Sequence, residues 1–256
     1  MKRIFLLGPS HTLYLPGCAA SQASYYETPL GDLEVDKETI AELRETSKFE
    51  KWRSNPEEEE HSLEMHLPYI YKMLSKAFKS EDDFPVLVPI LVGATSGKTE
   101  KEYGKIFAPY LADPTSVFII SSDFCHWGER FQYTKYIPQH PSVPTLTPKP
   151  RDLTRLEKTP TDPPIHESIG HLDQLSMKAI STGDHDTFLQ NLKETENTVC
   201  GRHPIGVVMA AIEVLREEGK IKDDAGRFRF LRYERSNDVM TVKDSSVSYA
   251  SGVAVL

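Results

Sequence analysis

The sequence predicts an α/β fold, with a central, largely parallel or mixed sheet covered by helices on both faces. Three observations carry this. Short apolar runs rich in β-branched residues alternate with segments of helical periodicity. Several of those runs end in a polar or glycine-containing turn, as buried parallel strands do. The chain has 256 residues, enough to bury a large core in one undivided domain spanning 1–256.

The first strand is Arg3–Leu7, running into the turn Gly8-Pro9-Ser10-His11. Asp36 to Thr46 reads as a helix with Ile40 and Leu43 on one face and charges on the other. An acidic patch, Glu57 to Glu60, precedes a helical stretch from His61 to Phe78 that Pro68 ends or kinks. Phe84 to Gly93 is a buried strand whose prolines predict an edge position or a bulge. Thr99 to Leu111 is helical, and Ser116 to Asp123 is a β-branched strand ending in polar residues. The proline-rich stretch Ile137–Pro164 reads as one long exposed loop inserted in the domain. Helices follow at His166–Ser181, Asp184–Glu196 and Pro204–Glu218, the last with proline in its first turn. Strands at Arg227–Glu234 and Ser246–Val255 close the chain, and no internal repeat is found.

The net charge of −8 argues against a general nucleic-acid or anionic-membrane surface. No apolar run approaches the length needed to span a bilayer, and the short N-terminal run reads better as a strand than as a secretory signal. Three scattered cysteines are too few for a disulfide framework, which predicts a reducing compartment, the cytoplasm or the nucleus.

Candidate chemistry gathers at strand ends. His11 follows the first strand, Asp123 and His126 follow the Ser116 strand, and Cys200 and His203 precede the Pro204 helix. Adjacent parallel strands deliver their carboxyl ends to one side, so these groups have a route to a common cavity. Imidazole, thiolate and carboxylate together match the ligand sets of zinc, iron or copper. Cys200 near a helix N-terminus, beside Arg202 and His203, suits a thiolate; an inert buried thiol is the plain alternative. His61, Glu64 and His66 do not make a zinc-protease motif, because the two histidines are five apart and position 65 is methionine. His61 and Glu64 share a helix face, which allows one to orient the other beside a pocket. The sequence has no P-loop, dinucleotide fingerprint or nucleophile elbow. An anion has one candidate seat, the N-terminus of the Pro204 helix near Arg202.

Seven blocks, in order, resemble the Memo family, named for a mediator of receptor-driven cell motility. They are Gly8–His11, Thr28–Leu33, Glu60–Tyr69, Val88–Gly93, Ser121–Gly128, Cys200–Gly206 and Asp244–Ala250. The resemblance spans almost the whole chain. It implies a fold similar to class III extradiol non-haem iron dioxygenases. It also implies a pocket with His11 and Cys200 as metal ligands and with Asp123 and His126 as its catalytic neighbours. Iron or copper, copper-dependent redox activity, phosphotyrosine peptides and signalling partners come with the same resemblance. Family members carry an upstream segment with a P-H-A-G-Y motif whose histidine is a further ligand. This sequence starts at the strand after it, which implies a site short of one ligand and a sheet edge open to association.

Two functions follow as expectations. One is a metal-dependent oxidoreductase using His11 and Cys200 for metal, with Asp123 or His126 moving protons. The other is a signalling adaptor that binds a phosphopeptide or partner through the same pocket, with His61, Glu64, His66, Arg202 and His203 around it. A cysteine hydrolase pairing Cys200 with His203 or His126 is a distant third, since three-residue spacing does not itself make a dyad.

Overall fold

The computed structural model describes residues 1–51, 60–138 and 149–256. In chain order, strands β1 (Arg3–Pro9), β2 (Cys18–Ala20), β3 (Tyr25–Thr28) and β4 (Gly31–Glu34) lead to helix α1 (Lys37–Glu45) and strand β5 (Phe49–Lys51). Helices α2 (His61–Glu64) and α3 (Leu67–Ala77), strand β6 (Val86–Val92), helix α4 (Gly97–Leu111) and strand β7 (Ser116–Ile120) follow. Then come strands β8 (His126–Trp127), β9 (Lys135–Tyr136) and β10 (Arg151–Asp152), and helices α5 (Ile165–Ser181), α6 (His185–Thr195) and α7 (Arg202–Glu217). Strands β11 (Arg229–Arg235) and β12 (Ser246–Val253) end the chain. These elements form two compact units, Met1–Ser122 with Gly201–Lys220, and Asp123–Cys200 with Ile221–Leu256.

The first unit is built on a mixed five-stranded sheet of order β5-β2-β6-β1-β7. Strand β1 pairs in parallel with both β6 and β7, whereas β2 runs antiparallel to β6 and parallel to β5. Residues 4–9 of β1 are all buried, as an unbroken apolar run requires when both faces are covered. The period-two alternation then sorts its side chains. Ile4 and Leu6 join Leu63, Leu67, Ile70 and Leu74 of α2 and α3 in one core cluster. Phe5, on the opposite face, stacks on Phe118 at 4.5 Å and meets Phe107 of α4 edge-on. Helix α4 packs in turn on α7, where a Cβ on Gly104 would come within 2.8 Å of Ala210.

Helix boundaries follow local chemistry. The side chains of Asp36, Ser96 and Asp184 each accept a backbone N–H in the first turn of α1, α4 and α6. The expected His61–Phe78 helix is interrupted at Met65 and His66, and Pro68 lies in the first turn of α3, where its missing N–H costs nothing. The expected edge position of the proline-containing strand is overturned, because β6 lies between β2 and β1. Its pairing with β2 stops at Ala20 opposite Ile90, so Pro89, which has no N–H to give, falls just past the end of that ladder.

The second unit holds α5, α6, the antiparallel sheet β11-β12-β8 and the β9-β10 pair. The two closing strands therefore do not extend the central sheet. Their exposure, with all seven β11 residues partly or fully open, fits an antiparallel ribbon rather than a strand buried on both faces. The core of this unit gathers Trp127, Tyr133, Tyr136, Ile165, Ile169 and Leu172. The expected loop Ile137–Pro164 is pinned at both ends. Ile137 N–H donates to Ser168 Oγ at 2.7 Å, Arg151–Asp152 pair with β9, and Leu153 is buried. Residues 139–148 of that loop, and residues 57–59 of the acidic patch, lie outside the described residues. No helix among the described residues is long and apolar enough to cross a membrane.

Candidate functional site

Strand β1 ends in a turn that α2 closes over. A Cβ on Gly8 would sit 2.6 Å from Leu63 Cδ2 and 2.8 Å from Ser62 Oγ, so the close approach of α2 needs glycine there. Ser62 Oγ donates to the Pro9 carbonyl at 2.8 Å, and this docking lays Glu60 beside His11. The Glu60 side chain is fully buried, whereas that of His11 is 34% exposed. The two Glu60 oxygens are shared among four N–H groups. Oε1 accepts from Ser62 N–H at 3.0 Å and lies 3.0 Å from His11 Nδ1. Oε2 accepts from His11 N–H at 2.6 Å and Thr12 N–H at 3.4 Å. Burial alone would push the Glu60 carboxyl up, but the bonds from the side chain and backbone of His11 and the backbone of Ser62 outweigh it and hold it at about 2. The His61 ring stacks on that of His11, with centroids 4.8 Å apart and planes 12° from parallel. One ligand-type atom from each of His11, Glu60 and His61 lies within 4.8 Å of the other two. The two imidazoles at that separation are of the donor type that transition-metal cations take, with the carboxylate beside them.

Glu60 is the residue that the sequence reading passes over, counting it into an acidic patch. Its signal was position: it sits directly before a helix start, where its side chain caps α2. Glu64 is exposed, and His66 occupies the N-cap of α3 without a side-chain capping bond; neither supplies an atom to the cluster.

A second cluster of the same unit holds His203, in the first turn of α7. Its Nδ1 lies 2.7 Å from Glu100 Oε1 and 3.0 Å from Thr95 Oγ1, and Thr95 Oγ1 donates to the same carboxylate oxygen at 3.1 Å. Glu100 is buried in the first turn of α4. Arg202, the first residue of α7, is exposed.

In the second unit, two short segments zip Asp123, His126 and Cys200 together. Asp123 N–H donates to Cys200 Sγ at 3.0 Å, and Cys200 N–H donates to the Asp123 carbonyl at 3.2 Å. His126 N–H donates to Thr198 Oγ1 at 2.8 Å. His126 Nδ1 lies 3.0 Å from the Phe124 carbonyl and 3.1 Å from that of Thr198. Both partners are acceptors, so Nδ1 carries a proton, and Nε2 lies 3.8 Å from Asp123 Oδ2. Cys200 is partly open, whereas Cys18 and Cys125 are fully buried and burial pushes both of those thiols well up. Of the expected site residues, His11 and His61 thus meet in the first unit, His203 and Arg202 lie elsewhere in it, and Asp123, His126 and Cys200 meet in the second. A cavity of ≈ 240 Å³ in the first unit, lined by Pro16, Lys48, Glu102 and Tyr103 among others, shares no residue with these clusters.

A family model described as Memo-like protein matches residues 1–253. Protein MEMO1 of Danio rerio is 43% identical over 255 residues, covering 100% of this chain and 76% of that protein. Protein MEMO1 of Homo sapiens is 43% identical over 251 residues, covering 98% of this chain and 74% of that protein. The protein memo-1 homolog of Caenorhabditis elegans is 43% identical over 254 residues, covering 99% of this chain and 64% of that protein.

Proposed function

The chain belongs to the Memo family, and on that premise we propose that it binds a transition-metal cation, iron or copper, at the His11–His61 corner of its first unit and serves as a redox protein in cell signalling or motility. The observation that carries this reading is the stacked pair of imidazoles against the buried Glu60 carboxylate. Imidazole nitrogens are donors to iron and copper alike, and either ion supplies one-electron chemistry when bound. The chain's own contribution is a fixed frame: a buried strand end, a capped helix docked on glycine, the His11 ring held by the Glu60 carboxylate and the His61 ring stacked on it. In the second unit, His126, whose Nε2 lies 3.8 Å from Asp123 Oδ2, is the group suited to moving a proton.

Metal analysis of purified protein tests the reading. Wild type retains iron or copper near one equivalent, and a His11→Ala/His61→Ala variant retains none. Equal, negligible metal in both ends it. Cys200→Ala, measured in parallel, tests the ligand role that the family resemblance gives that thiol.

A second reading has one observation of its own. Helix α7 opens with exposed Arg202 and has no acidic residue in its first turn, which suits an anionic group such as a phosphotyrosine peptide. Titration with phosphorylated and unphosphorylated forms of one peptide decides it. Identical weak binding of both removes the adaptor role, and loss of the difference in Arg202→Ala supports it.

A further inference from the structure

We infer that Glu60 is a positioning residue rather than a metal ligand, one that fixes the tautomer of His11 so that Nε2 is the nitrogen offered to a cation. The inference deepens the metal-binding reading above and rests on it.

The donor count carries it. A carboxylate is an acceptor with two oxygens, and each Glu60 oxygen already faces two nitrogens. Three of the four are backbone N–H groups, which can only donate. The fourth, His11 Nδ1, meets the same ionised oxygen that accepts Ser62 N–H, so it too must donate. A cation on Glu60 would have to displace N–H groups that are otherwise without that acceptor, in a side chain with no exposed surface. A proton on Nδ1 places the lone pair of the neutral ring on Nε2. Carboxylate–histidine–metal arrangements of this kind set ring orientation and raise ligand basicity. His11 and Glu60 are also joined through the backbone, since Glu60 Oε2 accepts His11 N–H. The carboxylate therefore holds both the ring and the turn that carries it. His61 lies farther off, its Nδ1 3.9 Å from Glu60 Oε1, and is oriented by stacking on His11.

The test uses the full chain, metal-free, with 15N-labelled histidine. Long-range 1H–15N spectra report the tautomer of each ring, and His11→Gln identifies the His11 signals. In wild type His11 is expected as the Nδ1–H form. Glu60→Gln, equal in size but with one oxygen replaced by an NH2 facing N–H donors, is expected to lose that form. Zn2+ affinity, measured calorimetrically, is expected to fall 10- to 100-fold in the same variant. His61→Ala should weaken Zn2+ binding while leaving the His11 tautomer in place. An Nε2–H tautomer in wild type overturns the inference, and that measurement decides the matter even if Glu60→Gln does not fold. An unchanged tautomer and affinity in folded Glu60→Gln overturns it as well. If wild type shows the Nδ1–H form, lost in Glu60→Gln, yet binds no metal, the tautomer role of Glu60 is supported and the metal-binding reading alone falls.

Discussion

The hydroxyl of Tyr103 accepts the backbone N–H of Cys18 at 2.9 Å, tying helix α4 to strand β2, and donates onward to the Lys48 carbonyl at 2.7 Å. Burial, with the Cys18 thiol adding to it, pushes this phenol from its ordinary 10 up to about 12. An unfolded chain therefore loses the proton first as pH rises. The contribution is fully present below pH 10 and is lost as pH climbs toward 12. Tyr103→Phe should cost about 1–3 kcal/mol at pH 8, because a buried N–H and a carbonyl lose their partner. The gap between wild type and variant should narrow by about 1.4 kcal/mol at pH 11. Urea titrations at the two pH values check this, and a gap that stays constant refutes the assignment.

The Glu100–His203 pair makes a different demand. Glu100 is buried with two neighbours on one oxygen, and it joins α4 to the first turn of α7. Glu100→Ala should destabilise the protein by about 1–3 kcal/mol, since it takes a buried acceptor from both Thr95 and His203. In Glu100→Ala/His203→Ala the two costs should fall short of additivity by at least about 0.5 kcal/mol, as for residues in one network. Full additivity in denaturation would show that the pair is not coupled.

Much of the first unit was legible because its signals are local. Strand β1 is an unbroken apolar run, and α1 and α4 begin at capping side chains. Strand β2 was not legible. Cys18-Ala19-Ala20 is three residues with no alternation and little strand propensity, and it exists because Val92 and Phe49 pair with it from either side. The β3–β4 hairpin turns at Thr28-Pro29-Leu30-Gly31, a turn signal visible in the sequence but read only as a family block. The proline rule misplaced β6 because it prices a missing N–H without knowing where the neighbouring strand stops. At the site, His11 stood out at a strand end, whereas Glu60 was hidden among identical neighbours 49 positions away. Only the docking of α2 on Gly8 separates it from a solvated glutamate.

Cysteine reactivity should split along the same lines. Cys18 and Cys125 are closed off and held as thiols by burial, while Cys200 is partly open. Native protein treated with iodoacetamide near neutral pH should take up one equivalent, on Cys200, and three after denaturation. Peptide mapping that finds Cys18 or Cys125 modified as fast as Cys200 would contradict the packing of the unit concerned.

Gly8→Ala is the sharpest probe of how the candidate site is assembled. The added methyl would press on Leu63 and Ser62 at 2.6 and 2.8 Å, and the two cannot yield equally. Leu63 is a buried core side chain, whereas Ser62 is fastened to the Pro9 carbonyl, so relief requires α2 to move off β1. Overpacking of this kind costs about 1–3 kcal/mol. Because Glu60 caps that helix, its displacement should also break the contact with His11 and weaken Zn2+ binding. The two readouts separate the causes: Ser62→Ala combined with Gly8→Ala should recover part of the stability by removing one clash. A Gly8→Ala protein with unchanged stability and metal affinity would mean that α2 does not rest on the end of β1, and the geometry around Glu60 would then have no support.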